Sequence, residues 1–170
     1  MSGWAIAAAG RPARIVAKLN ALVEPEVIEA LYRASCAGVQ IDLIVRGTCS
    51  LRPGVPGASE NIRVRSLVGR FLEHARVLLF DNGGATEVYL SSADWMERNF
   101  FSRVEICFPV TRAALKRRLA ADLELELRDN RQAWQMAPDG RWSRVIPGGA
   151  EPVSAQEVRL AELAQSVSES

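Results

Sequence analysis

The sequence predicts an α/β fold. Three observations carry that expectation. Residues 13–46 read as strand, helix and strand with short joints, which is a βαβ unit with parallel strands. Further strand-like runs follow, two of them joined by the turn signal "DNGGA". At 170 residues and 48% hydrophobic content, the chain is long enough to bury one substantial core.

Taken in order, "ARIVAKL" (13–19) is the first strand. "EPEVIEALYRASCAG" is the helix. Pro25 suits its first turn, Glu24 and Glu26 match the positive end of the dipole, Gly38 suits the stop, and Val27, Leu31 and Ala34 give one apolar face. "VQIDLIVR" (39–46) is nearly continuous in hydrophobicity, as a strand covered on both faces should be. "GTCSLRPGVPGASEN" (47–61) is a Gly-, Pro- and Ser-rich loop leaving the C-terminal end of that strand, where open α/β sheets place ligands. "IRVRSLV", "ARVLLF" and "TEVYLSS" are three more strands, and "RVEICFPV" (103–110) another. Thr111 is the expected cap of a helix running to about Asp129, with Leu115, Leu119 and Leu123 on one face. "QAWQM" and "RWSRVI" form a hairpin turning at Pro138-Asp139-Gly140. "SAQEVRLAELAQS" is a last short helix, capped by Ser154 with Glu157 closing a capping box.

Net charge is +1, so global charge selects no partner. The cations are unusual in kind, since only Lys18 and Lys116 are not arginine. Codon bias explains many of these arginines, but clustering singles some out. Arg46, Arg52, Arg63, Arg65, Arg70 and Arg76 stand in one stretch with only Glu60 and Glu73 to balance them. Three scattered cysteines without a CxxC pair, and one histidine, argue against a protein-built zinc site. They fit reduced thiols and a cytoplasmic setting, with peripheral membrane association left open. "MSGWAIAAAG" lacks the basic start of a signal peptide, and no stretch is apolar for long enough to span a membrane.

That histidine, His74, precedes Arg76 by two residues and Asp81 by seven, and "YLSSADW" follows with Ser91 and Ser92. The pattern resembles the H-x-K-x4-D motif and serine pair of the phospholipase D superfamily, with arginine in the lysine position. An imidazole can attack phosphorus or carry a proton near neutral pH. A cation two residues on would share its strand face and hold a phosphoryl oxygen. The plainer alternative stays open at this point: a structural histidine, with Asp81 a turn residue ahead of Asn82-Gly83-Gly84.

A wider resemblance is more specific. "AKLNALVEPEVIEALYRASCAGVQIDLIVRG", "LRPGVPGASENIRVRSLVGRFLEHARV", "VYLSSADWMERN", "RVEICFPV" and "DNRQAWQMAPDGRWSRV" all resemble, in order, the C-terminal region of bacterial polyphosphate kinases, from about Arg11 to about Leu163. The resemblance implies a phospholipase-D-like mixed sheet flanked by helices, the second of two such catalytic domains. It would occupy residues 11–130, with a hairpin and helix (131–170) appended and residues 1–10 a foreign or altered start. It implies reversible transfer of the ATP terminal phosphate to inorganic polyphosphate through a phosphohistidine in upstream domains. It further implies magnesium whose ligands lie elsewhere, and a homo-oligomeric whole enzyme. Residue by residue, Arg46 in "IVRG" matches an ATP-binding arginine, and His74 in "FLEH" a histidine at the nucleotide phosphates that activity requires. Arg103 in "SRVEI" matches a further phosphate-site arginine, or else pairs with Glu105 or Asp94. Arg52, Arg63 and Arg65 line a polyphosphate path or are merely solvated.

Since the family's covalent carrier has no counterpart here, the chain is expected to be a piece of a longer enzyme or the product of a split gene, and inactive alone. Two other readings remain at this stage. One is a dimeric, single-motif phospholipase-D-like phosphodiesterase with a site built from two copies of His74. The other is a non-catalytic polyanion binder, for which nucleic acid is a poor candidate in the absence of a binding motif.

Overall fold

A computed structural model describes residues 13–168, with side chains to residue 165. The expected altered start lies outside the described residues. Eight strands form one mixed sheet in the order β6-β5-β4-β1-β2-β3-β7-β8. β1 (Ala13–Leu19), β2 (Gln40–Val45) and β3 (Ile62–Leu67) are parallel neighbours. β4 (Val77–Asn82) runs antiparallel beside β1 and continues into β5 (Ala85–Ser91) and the edge strand β6 (Cys107–Pro109). At the other edge, β7 (Ala133–Met136) pairs with β3, and β8 (Trp142–Arg144) pairs with β7. The helices are α1 (Pro25–Cys36), α2 (Glu97–Phe101), α3 (Ala113–Arg128) and α4 (Ala155–Ser168).

Alternation along the strands sorts the core into two layers. Ile41, Leu43 and Val45 of β2 face α1, packing with Ala17, Leu19, Leu31 and Ile62. Val16 and Ile44 face α3, packing with Leu79, Val88 and Leu123. The sheet is therefore covered on both sides, as the run 39–46 predicts. The βαβ unit forms as expected: Glu24 is the N-cap of α1, its carboxylate accepting from the Val27 amide at 2.6 Å, and Gly38 has φ +90° just past the helix. The β4–β5 turn is tighter than the sequence suggests. Asp81 and Asn82 stay in the strand, and Gly83 and Gly84 alone make the turn, with φ of +65° and +94°.

Four expectations are corrected. Thr111 does not cap α3: the helix starts at Ala113 with Arg112 in the cap position and no side-chain bond there. Its apolar face is Leu119, Leu123 and Leu127, while Leu115 is 47% exposed, one turn too near the open end to reach the sheet. The strand expected over 103–110 shrinks to Cys107–Pro109, because this edge segment has only the short end of β5 to pair with. The strand expected from Ala75 starts at Val77, which leaves His74 and Arg76 in the connecting loop 68–76. Ser154 does cap α4, its Oγ accepting from the Glu157 amide at 3.4 Å. No described helix is long and apolar enough to cross a membrane.

Candidate functional site

The site lies where parallel strands β1 and β2 end. The residue just past each strand, Asn20 and Arg46, is laced to its neighbour by the backbone: the Arg46 amide donates to Leu19 O at 3.1 Å, and the Gly47 amide to Asn20 O at 2.9 Å. Asn20 is buried, and its side-chain amide serves two partners. Its Oδ1 accepts from Arg46 Nε at 2.8 Å, and its Nδ2 donates to the His74 carbonyl at 3.4 Å. One amide thus fixes the base of an arginine side chain and the backbone of the histidine.

Asp94 holds Asn20 in turn. Its Oδ1 accepts from the amides of Asn20 (2.7 Å) and Ala21 (3.3 Å) and from Arg76 Nε (3.2 Å), and its Oδ2 from Arg76 Nη2 (2.9 Å). Burial works to raise the Asp94 carboxyl, but the Arg76 guanidinium and the two amides outweigh it and hold the group below the ordinary carboxylate range. Arg76 Nη1 also donates to His74 O at 3.3 Å. Arg76 is therefore committed to the scaffold, and its guanidinium is not the free phosphate-holding cation that the motif spacing suggests.

Asp81 is not part of this site. It sits at the far end of β4, where its Oδ1 accepts from the Gly84 amide at 2.9 Å. The serine pair is also engaged locally. Ser91 Oγ accepts from the Ala93 amide, while Ser92 Oγ accepts from the Ile106 amide and donates to Glu105. The three-part His74–Arg76–Asp81 arrangement is thus not assembled.

Arg46 and His74 differ from these residues in what they leave over. Among the described residues no carboxylate pairs with Arg46, and neither ring nitrogen of the exposed His74 has a hydrogen-bond partner. Arg46 lines an open cavity of about 400 Å³ with Val68, Arg70, Phe71 and Glu73. Arg103 is exposed and makes no ion pair among the described residues. Of the two partners weighed for it, Asp94 is taken by Arg76, while Glu105 hydrogen-bonds Ser92 and Asn99, whose Nδ2 donates at 2.5 Å, and feels the Arg103 charge without an ion pair. Arg103 opens into a separate cavity of about 380 Å³ with Ser91, Trp95 and Glu105.

The other singled-out arginines divide. Arg63 Nε bonds the buried Asp42 at 2.8 Å. Arg65 Nη1 donates to the last carbonyls of α3, at Glu126, Leu127 and Asp129, the helix-end role of a cation. The Arg52 backbone amide donates to the Tyr32 hydroxyl at 2.9 Å, and its side chain is exposed. No group of three His, Cys, Asp or Glu side chains that could hold a metal ion converges among the described residues.

Sequence reasoning missed Asn20, and gave Asp94 only as a partner of Arg103. A signal for Asn20 was present: it follows the first parallel strand just as Arg46 follows the second, at the edge where such sheets bind ligands.

Comparison with known proteins agrees with this architecture. Residues 3–156 match the family described as polyphosphate kinase C-terminal domain 2. A polyphosphate kinase of Neisseria gonorrhoeae is 63% identical over 146 residues, covering 85% of this chain and 21% of that protein. One from Pseudomonas aeruginosa is 56% identical over 162 residues, covering 95% of this chain and 24% of that protein. The chain thus spans less than a quarter of the length of these curated relatives. The crystal structure of a polyphosphate kinase from Porphyromonas gingivalis superposes with a TM-score of 0.91 at 40% identity, over 98% of this chain and 26% of that one. The phospholipase D family member Nuc from Salmonella typhimurium gives a TM-score of 0.57 at 15% identity, over 77% of this chain and 86% of that one, a likeness of fold alone.

Proposed function

The chain belongs to the polyphosphate kinase C-terminal domain 2 family, and on that premise we propose that it is the phosphate-holding half of a polyphosphate kinase catalytic centre. The observation that carries this reading is the pairing of an arginine and a histidine at the C-terminal edge of a parallel strand pair, tied to one buried asparagine and left without anionic partners. Arg46 offers its remaining N–H groups to the oxygens of a triphosphate or polyphosphate chain, a charge-assisted and geometrically directed contact. His74 stands beside those phosphates and donates or accepts a proton as negative charge moves from the entering to the leaving group. Arg103 adds a second cation from the β6 side. The phosphoryl group is carried by a histidine of the upstream part of the polypeptide, and ATP or ADP and polyphosphate are the substrates.

The surface suits such a composite centre. Phe100, Phe101, Val104, Ile106 and Phe108 stand exposed along α2 and β6, beside Arg103. An apolar belt of this kind fits burial against the rest of a polypeptide most of whose length, in the relatives, lies outside the matched region. A cytoplasmic location and a homo-oligomeric whole enzyme accompany the reading.

ATP labelled on its terminal phosphate tests the division of labour. The chain should acquire no acid-labile label and make no labelled polyphosphate. Label that appears on the chain and vanishes in His74→Ala would make His74 itself the phosphoryl carrier and overturn the proposal.

A further inference from the structure

Loop 68–76 carries His74 but has no regular secondary structure of its own. Its order must come from neighbours, and one side chain makes three of its hydrogen bonds. Gln156, in the first turn of α4, bonds both backbone groups of Phe71: its Oε1 accepts from the Phe71 amide at 3.0 Å, and its Nε2 donates to the Phe71 carbonyl at 2.9 Å. The same Nε2 donates to Glu73 Oε1 at 2.7 Å. The other Glu73 oxygen accepts from Lys18 at 2.6 Å. Lys18 lies on β1 two residues before Asn20, and is 5% exposed. The residue immediately before His74 is thus held from two sides, by the last helix and by the central strand.

The mount is rigid. α4 is fixed at its start by the Asp129 carboxylate, whose Oδ2 accepts from the Ala155 amide at 2.8 Å. Along its length, Arg159 pairs with Asp122 of α3. Space around Gln156 is tight as well: a Cβ on Gly69 would lie 2.6 Å from Gln156 Oε1 and 2.6 Å from Gln132 Oε1, so a larger residue there would have to push the ends of both glutamines aside. On the far side of His74, Asn20 and Arg76 bond its carbonyl. Among the described residues the imidazole is left uncommitted.

We propose that Gln156, with Glu73 and Lys18, is a positioning device that sets the His74 loop from the C-terminal helix, so that α4 is part of the working site rather than an appendage. The inference rests on the proposed function only in calling His74 a phosphate-site residue; the ordering of the loop is independent of it.

The test uses the 170-residue chain, in which His74 gives the only histidine ring signal in an NMR spectrum. Gln156→Met keeps the volume and removes every hydrogen bond. Leu160→Ala, a control on the same helix, loosens its packing and leaves those bonds in place. Without ligand, Gln156→Met should speed hydrogen exchange of the Phe71 amide about tenfold or more and increase motion at the His74 ring, with Leu160→Ala close to wild type. With tripolyphosphate as probe, the concentration that half-shifts the His74 signal should rise about three- to tenfold in Gln156→Met only. A Gln156→Met chain with wild-type exchange and ring order would overturn the device, and so would equal effects from Leu160→Ala. If tripolyphosphate leaves the wild-type His74 signal unmoved, the phosphate reading fails, and the ligand-free comparison still decides the device.

Discussion

Two arginine clusters sit at opposite ends of the same parallel strands, and they do opposite things with their charge. Near the start of β1 and β2, Arg14 and Arg63 converge on the buried carboxylate of Asp42, and Arg14 also reaches Glu124. Cation and anion sit side by side there, and the cluster cross-braces β1, β2 and β3 with α3. At the other end, the anion Asp94 is spent on Arg76, and Arg46 is held by the neutral amide of Asn20. An amide fixes an arginine without cancelling its charge. The comparison teaches that the partner of an arginine, more than its exposure, decides whether its charge is answered: Arg63 is more exposed than Arg46, yet it is the one paired with a carboxylate.

The largest effect should come from removing the acid at the working end. Asp94→Ala strips two buried amides and a part-buried arginine of their acceptor, and should cost about 3–5 kcal/mol, lowering the melting temperature by about 10 °C. Asp42→Ala should cost less, about 2 kcal/mol, because Arg63 can turn to water. Thermal denaturation of the pair checks the order. Equal costs would mean that the two ends are braced alike.

Asn20→Asp sharpens the comparison by giving Arg46 the carboxylate it lacks. The fold should hold while tripolyphosphate affinity falls about tenfold, as titration calorimetry would show. Undiminished affinity would detach Asn20 from the site.

Acid should act on the working end. Glu73 and Asp94 are both held below their ordinary range, each because hydrogen bonds and a cation outweigh the opposing effect of burial. A carboxylate with a lowered folded pKa stabilises the fold above its unfolded pKa, and that contribution is lost as pH falls through the folded value. Glu126 goes the other way. Burial raises it, Lys18 only partly opposes that, and its Oε2 is buried without a partner among the described residues. Urea denaturation between pH 7 and pH 3 should therefore show stability falling below about pH 4, with a shallower fall in Glu73→Gln and no such flattening in Glu126→Gln. Gly69→Ala should give the smallest change, about 1 kcal/mol, since the ends of Gln132 and Gln156 can yield.

How much of this was legible in the sequence follows from how local each signal is. The β1-α1-β2 unit was readable because its caps, apolar spacing and stop glycine all lie within a few residues of one another. Arg46 and His74 could be singled out because the family blocks around them are contiguous. The pairing of β7 with β3 was not, because nothing near Ala133 encodes a partner some seventy residues earlier. Asn20 and Gln156 were invisible for the same reason: each is an unremarkable polar residue until the fold sets it against Arg46 or Phe71. The spacing of His74, Arg76 and Asp81 misled because it assumed one continuous strand, whereas β4 begins after Arg76 and carries Asp81 to its far end.

The most direct test of the account is a paired titration of the chain with tripolyphosphate, comparing Arg46→Ala with Arg63→Ala. Arg46→Ala should lose about tenfold or more in affinity, and Arg63→Ala, whose charge already answers Asp42, less than about twofold. Equal losses would show diffuse attraction to any arginine on the surface, and would contradict the claim that the uncommitted arginine at the strand ends defines the site.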